Sequence, residues 1–240
     1  MKQVADQVFQ VGSKGHNFYI LKEGDTATLI DAGCSGEWLK LLGALDELGL
    51  GLESIVGIVA AHSHADHFGL AKQAQAEGIS VAVHEDEESR ALGTYTGCYA
   101  VGTFELPFWK FSMYRNFLPM LRAGVMKLDH ADEIDTFSDG DRLDLPGSPI
   151  AVHTPGHTEG HVMFHCPQLG LLFSGDGLIT MDLVGSGVGP QMIESKFNFD
   201  SSQALTSLDR VVGIEANLLL PGHGQPWKGT LAEAVQTARS

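Results

Sequence analysis

Apolar runs ending in glycine, proline or aspartate recur through both halves of the chain. "NFYILK" (17–22) and "TATLID" (26–31) flank the turn residues "EGD" (23–25) and predict a hairpin. "DAGCSG" breaks the second strand. Ser35 is placed there to cap a helix whose apolar positions Trp38, Leu41, Leu42, Leu45 and Leu48 fall at helical spacing. "SIVGIVAAH" (54–62) reads as a buried strand that runs into a histidine cluster. "FGLAKQAQAEG" (68–78) predicts a helix ending at Gly78, and "ISVAVH" (79–84) the next strand.

The rhythm changes after residue 84. "EDEESRALG" (85–93) predicts a helix with acids in its first turn, where the helix dipole favours them. "TFELPFWKFSMYRNFLPMLRAGVMK" (103–127) is rich in Phe, Trp and Met, and Pro107 and Pro119 are expected to bound a short helix. The stretch at about 85–130 therefore predicts a helical insertion, followed by an exposed acidic connection over 129–141. Strands return at "IAVHTPGH" (150–157), "HVMFHC" (161–166), "GLLFSGDG" (170–177) and "NLLLPGHG" (217–224). Helices are predicted at 200–214 and 230–239. Interleaved strands and helices point to an α/β (α+β) fold, and the hairpins argue against a purely parallel sheet. The chain reads as a single domain, 1–240, interrupted by that insertion.

Composition narrows the class. The 240 residues suffice for a core without disulfides, and Cys34, Cys98 and Cys166 form no C-x-x-C pair, which fits a reducing compartment. The net charge of −15 repels phosphate backbones, so nucleic acid is not an expected partner. No secretory leader is recognisable, and no stretch approaches the roughly 20 apolar residues of a membrane helix. The expectation is a cytoplasmic protein with a small-molecule substrate and no membrane partner.

The chemistry concentrates in "AAHSHADHFG" (60–69), which holds His62, His64, Asp66 and His67. Residues i and i+2 of an extended segment project the same way, so His62 and His64 can reach one point. Four ligands on one short loop converge poorly on one ion and serve two neighbouring ions better. Imidazole nitrogen with carboxylate oxygen suits zinc, and also iron or manganese. A second ion needs ligands from elsewhere. Candidates stand where later strands meet glycine loops: His157 in "HTPGHTEGH", Asp176 in "LLFSGDG" and His223 in "LLLPGHG".

This set resembles the metallo-β-lactamase superfamily. Its H-x-H-x-D-H signature is matched by His62, His64, Asp66 and His67, its later ligands by His157, Asp176 and His223, and its first motif by "TLIDAG" with Asp31. The resemblance runs from about Asp31 to His223, and residues 85–135 match no motif. It implies a four-layered αββα sandwich with the helical insertion between its halves, and two divalent ions, Zn²⁺ foremost. By that resemblance His62, His64 and His157 hold the first ion, Asp66, His67 and His223 the second, and Asp176 bridges them. Asp31 supports the metal loop. A bridging hydroxide would attack a carbonyl, with Asp66 or a metal-bound water as proton donor to the leaving group. No serine elbow of the G-x-S-x-G type is present. His161 is placed to donate to a ligand or to Asp31, or to make a plain structural hydrogen bond. His153 and His165 read as structural strand residues, and His16 as a loop residue.

The branches of the family separate by residue. Asp176 stands where some lactamases carry a cysteine ligand, and His64 where flavodiiron enzymes carry Glu. The full ligand set is that of glyoxalase II-like thioesterases and of acyl homoserine lactonases. The chain departs from both. No tyrosine follows Asp176, and only Lys228 and Arg239 are basic after His223, where glyoxalase II binds glutathione. The expected activity is hydrolysis of a small apolar ester, lactone or thioester. The alternatives are a phosphodiesterase, a β-lactam hydrolase, or a diiron redox or sensor protein. Phe104, Phe108, Trp109, Phe111, Met113, Tyr114, Phe117 and Met120 are candidates for an apolar lid over the metals. Their alternative role is packing onto the sandwich or a homodimer interface.

Overall fold

The computed structural model describes residues 1–13, 15–97 and 111–240, with side chains from 114 onward in the last segment. Alternation along the strands organises it. In β3 (His16–Glu23), Phe18 and Ile20 face one way and Tyr19 and Leu21 the other, the period of two that a strand buried on both faces requires. β4 (Thr26–Ile30) divides Leu29 from Ile30 in the same way, and β5 (Ile55–Val59) divides Ile58 from Val59. β3 and β4 form the predicted antiparallel hairpin, and β4 pairs parallel with β5. β1 (Lys2–Ala5) and β2 (Val8–Ser13) extend this sheet on one side. β6 (Val81–His84) and β7 (Asp135–Phe137) extend it on the other, giving seven strands in sequential order.

A second sheet has the order β14-β13-β10-β9-β8. Its strands are β8 (Ile150–His153), β9 (Val162–Cys166), β10 (Leu171–Gly175), β13 (Leu218–Pro221) and β14 (Trp227–Lys228). Phe164, Leu171, Phe173, Leu218 and Leu220 face the first sheet, while Met163, Leu172 and Leu219 face away. A separate hairpin joins β11 (Ile179–Met181) to β12 (Val188–Gln191). Helices cover both outer faces. α1 (Trp38–Glu47) and α2 (Ala71–Ala76) bring Leu41, Leu45, Ala71 and Ala74 onto the first sheet. α5 (Ser201–Ser207) leads into the turn of Leu208, and that residue and Leu231 and Val235 of α6 (Leu231–Ala238) cover the second. The layers are αββα, as the resemblance implies. Between β6 and β7 lie α3 (Glu88–Ala91) and α4 (Phe111–Ala123).

Several local expectations are corrected. Ser35 does not cap α1. It opens a 3-10 turn, and the backbone N–H of Cys34 is satisfied by the Glu37 carboxylate at 3.1 Å. Pro119 lies inside α4 rather than at its end. A proline there forgoes one backbone hydrogen bond, but α4 is held on both sides. Asn116 donates to the carbonyls of Asp182 and Leu183 at 3.0 and 3.4 Å. On the other side a Cβ at Gly15 would come within 2.5 Å of the Met120 side chain, so helix and backbone touch there. The acidic 129–141 stretch contributes β7 instead of being only a connection, because Phe137 buries its ring between the sheets. The 200–214 helix is shorter than predicted, since one 3-10 turn, Leu208–Arg210, follows α5. The β1–β2 and β11–β12 pairs were not anticipated. Among the described residues no helix is long and apolar enough to cross a membrane.

Tyr19 and Phe173 tie the two sheets together, their rings edge-on with centroids 5.2 Å apart. The Tyr19 hydroxyl also donates to the Pro221 carbonyl at 2.7 Å. Phe173→Ala is expected to cost about 3–5 kcal/mol, read as a lower urea midpoint with little change in slope.

Candidate metal centre

Strand direction brings the predicted residues together. β4 and β5 run parallel, so Asp31 and the 62–67 loop leave the first sheet at the same edge. β10 and β13 are also parallel, and β8 has the same direction through two antiparallel pairings, so His157, Asp176 and His223 follow strands that end at one edge. All seven predicted ligands meet there. Six are buried, and His64 is partly buried. Glycine permits the approach: a Cβ at Gly222 would lie 2.5 Å from the His67 ring and 2.6 Å from Asp176 Oδ1.

The side chains form two groups with one shared member. His62 Nε2, His64 Nδ1 and His157 Nε2 lie 3.0–3.2 Å from one another. Tetrahedral zinc with ordinary Zn–N bonds separates its nitrogens by about 3.3 Å, so the triad has the spacing of a cation site. The second group joins Asp66, His67 and His223, with Asp66 Oδ2 3.7 Å from His67 Nε2 and 3.5 Å from His223 Nε2. Asp176 stands between the groups. Its Oδ2 is 3.5 Å from His157 Nε2 and 3.0 Å from His223 Nε2, and its Oδ1 is 3.3 Å from His67 Nε2. His67 Nε2 and Asp176 Oδ1 are buried with no hydrogen-bond partner. Buried polar atoms are rarely left so, and atoms aimed at a cation are one explanation. The residues present fit metal ions.

Surrounding groups orient these side chains. Asp31 has a left-handed backbone, φ 62°, a conformation aspartate tolerates better than most residues. Its carboxylate accepts from Ala61 N–H at 2.7 Å and from His67 Nδ1–H at 2.9 Å, which turns His67 Nε2 toward the centre. His223 Nδ1–H donates to the Gly15 carbonyl at 2.6 Å, and His157 Nδ1–H to Asn198 Oδ1 at 3.2 Å. His161 acts differently from either expectation of donation. Its Nε2 accepts the backbone N–H groups of Asp176 and Gly177, both at 3.1 Å, and its Nδ1 faces Thr154. It therefore holds the backbone of Asp176 instead of donating to a ligand side chain or to Asp31. His153 donates to the Glu159 carbonyl and stacks on His84, consistent with a structural role. His16 is a strand residue at the start of β3, not the expected loop residue; it is buried and pairs with Glu37 at 2.5 Å.

Electrostatics separates the two groups. Burial, reinforced by neighbouring imidazoles, holds His62 well below the ordinary histidine range. Burial brings His64 down to about 4 and His157 down to about 3. These three are neutral at pH 7. Burial pushes His67 and His223 the same way, but Asp176 and the nearby carboxylates Asp31 and Asp66 for His67, and Asp176 and Asp66 for His223, raise both. Burial likewise opposes ionisation of Asp66 and Asp176, yet the facing His67 and His223 lower both carboxyls.

The sequence pattern of the metallo-beta-lactamase superfamily matches residues 11–223. The chain belongs to that superfamily. As a metallo-beta-lactamase superfamily member it is a metal-dependent hydrolase. It is 27% identical over 230 residues to an uncharacterized protein of Mycobacterium tuberculosis, spanning 90% of this chain and 89% of that one. A metallo-beta-lactamase family protein of Thermus thermophilus, TTHA1429, superposes with a TM-score of 0.69 at 22% identity, over 97% of this chain and 78% of that one. TTHA1623, solved in a di-iron-bound form, gives 0.63 at 24% identity, over 96% and 97%. At these identities the structural likeness is one of fold.

A cavity of about 260 Å³ opens over the superfamily's ligand positions, with His64, Asp66, His157, Asp176 and His223 at its floor. Its walls include Phe117, Met120, Leu183, Val184, Ile193 and Phe197. Phe117 and Met120 were anticipated from the aromatic stretch. Leu183, Val184, Ile193 and Phe197 were not, because isolated apolar residues between regular elements carry no periodic signal. Tyr114 is half-exposed and does not line the cavity. Phe104, Phe108 and Trp109, with the Phe111 side chain, lie outside the described residues, as does most of the expected homodimer surface.

The nearby carboxylates favour the protonated forms of His67 and His223, and a cation arriving there competes with those protons. The neutral triad has none to lose. Zn²⁺ titration of metal-free protein in weakly buffered solution is expected to release protons, more at lower pH, followed with a pH-indicator dye. Affinity at the Asp66–His67–His223 group should rise with pH. That of the triad should stay flat from about pH 5 to 8. Binding without proton release would contradict this division.

Proposed function

We propose that the chain is a dinuclear metal hydrolase that cleaves a small apolar ester, thioester or lactone. The observation that carries this reading is the cavity: candidate ligands at the floor, apolar walls above, and no Lys or Arg among the described residues lining it. An apolar wall with no cationic side chain favours an acyl group over a carboxylate-rich thiol carrier. His62, His64 and His157 would hold one ion and Asp66, His67 and His223 the other, with Asp176 serving both. Two divalent ions bound there supply Lewis acidity and activate water at neutral pH.

The chain's own residues do the remaining work. Asp31 keeps the His67 lone pair aimed inward, and His161 fixes the backbone that carries Asp176. Asp66 reaches the cavity as well as His67 and His223, so its carboxylate is placed to take the proton that the attacking water gives up and to pass it to the departing oxygen or sulfur. Phe117 and Phe197 bound the space where the acyl chain would lie and exclude water from it. The di-iron form of TTHA1623 makes iron a metal to test beside zinc and manganese.

Chelation should abolish turnover of p-nitrophenyl esters, acyl thioesters or lactones, and Zn²⁺, Mn²⁺ or Fe²⁺ should restore it. Phe117→Ala is expected to raise KM for a medium-chain ester by about tenfold and to affect the acetyl ester less. Faster turnover of bis-p-nitrophenyl phosphate than of any acyl substrate would select the phosphodiesterase reading instead. An Asp176→Asn variant with full activity would remove the bridging role.

A further inference from the structure

A fully buried carboxylate outside the candidate ligand set links the two loops that form the histidine triad. Glu87 ends the short 3-10 turn after β6. Its Oε2 accepts both the backbone N–H and the hydroxyl of Ser63, at 3.0 and 2.5 Å. Ser63 lies between His62 and His64. Its Oε1 accepts the N–H of Gly160, at 3.3 Å, three residues beyond His157. A Cβ at Gly160 would come 2.6 Å from the Glu87 backbone nitrogen, so glycine is what lets the second loop close on the turn. One side chain thus ties a loop of the first sheet to a loop of the second.

The donor set requires a carboxylate. Three donors converge on two oxygens, and a carboxylate is acceptor-only at both. A carboxamide of the same shape would turn its NH₂ toward either Ser63 or Gly160 and leave a buried donor facing another donor. Arg90 comes within 4.0 Å of Oε1, but its guanidinium hydrogen-bonds Glu159 at 2.7 and 3.2 Å. The triad also has less oriented support than its neighbour. His67 and His223 each have an acceptor on Nδ1; in the triad His157 has one in Asn198, but His62 Nδ1 is buried with no partner.

We propose that Glu87 is a positioning residue for the ion at the His62–His64–His157 site, setting the separation of the two ligand loops and placing a negative charge behind them. This rests on the dinuclear reading above. It acts through Ser63 and Gly160 and touches neither substrate nor metal.

The test is a competition titration of metal-free protein with Zn²⁺ against a chelating indicator, on wild type, E87Q and Ser63→Ala. His157→Ala marks which binding step belongs to the triad. Wild type should show two steps. E87Q should weaken the triad step by about 10–100-fold and leave the other unchanged. Ser63→Ala keeps the backbone donor and should weaken the same step by less. A merely structural role would lower the Tm of metal-free protein without moving one step selectively. Two wild-type ions with an unmoved triad step, or both steps weakened alike, overturn the proposal alone. A single wild-type ion overturns the dinuclear reading and this proposal with it. If E87Q does not fold, Ser63→Ala decides: an unmoved triad step overturns the role of Glu87.

Discussion

Parallel pairing is the constraint on which the rest of the structure depends. β4 beside β5, and β10 beside β13, must finish at the same end of their sheets. Whatever follows each strand is then delivered to one edge, and the apolar contact between the sheets brings the two edges together. Residues far apart in sequence meet because of this geometry, and no long-range attraction among them is needed to assemble the site. The strands themselves need only alternate. Tyr19 and Phe173 face inward because Phe18, Ile20 and Leu172 face outward.

The cost of this arrangement is a dense set of buried ionisable groups. Seven imidazoles and carboxylates share a small volume, and several rings lie near van der Waals contact. Within the cluster the charges compensate: His67 and His223 lower the carboxyls of Asp66 and Asp176, those carboxylates raise the two histidines, and burial lowers the triad. That balance sets the two groups apart electrostatically, and different buried carboxylates stand behind them: Asp31 bonds His67, and Glu87 bonds Ser63 between His62 and His64.

Much of this was legible in the sequence because the chemistry is local. The 62–67 cluster, the glycine-flanked His157, Asp176 and His223, and the hairpin at 17–31 each carry their signal within a few residues. Ligand positions survive as motifs because spacing along a loop fixes them. What was missed depends on contacts between distant segments. Asn198 meets His157 across 41 positions, and Glu87 meets Gly160 across 73. No periodicity announces either. Pro119 within α4 is a case of tertiary anchoring overriding a local breaker: Asn116 and Met120 hold the helix from both sides. His161 shows the limit for roles. Its proximity to the centre was inferable, but its direction as an acceptor from the Asp176 backbone was not.

The cavity walls come from α4, the loop between β11 and β12, and the residues around Ile193 and Phe197. None of these segments carries a candidate ligand. The floor is fixed by strands whose ends cannot shift without disturbing the core. The walls come from segments outside the two large sheets, α4 and the β11–β12 loop being tied to each other through Asn116. Wall and floor nonetheless meet at two points: Met120 packs on Gly15, whose carbonyl orients His223, and Phe197 precedes Asn198, which orients His157, so a change in the wall is transmitted to the centre beneath.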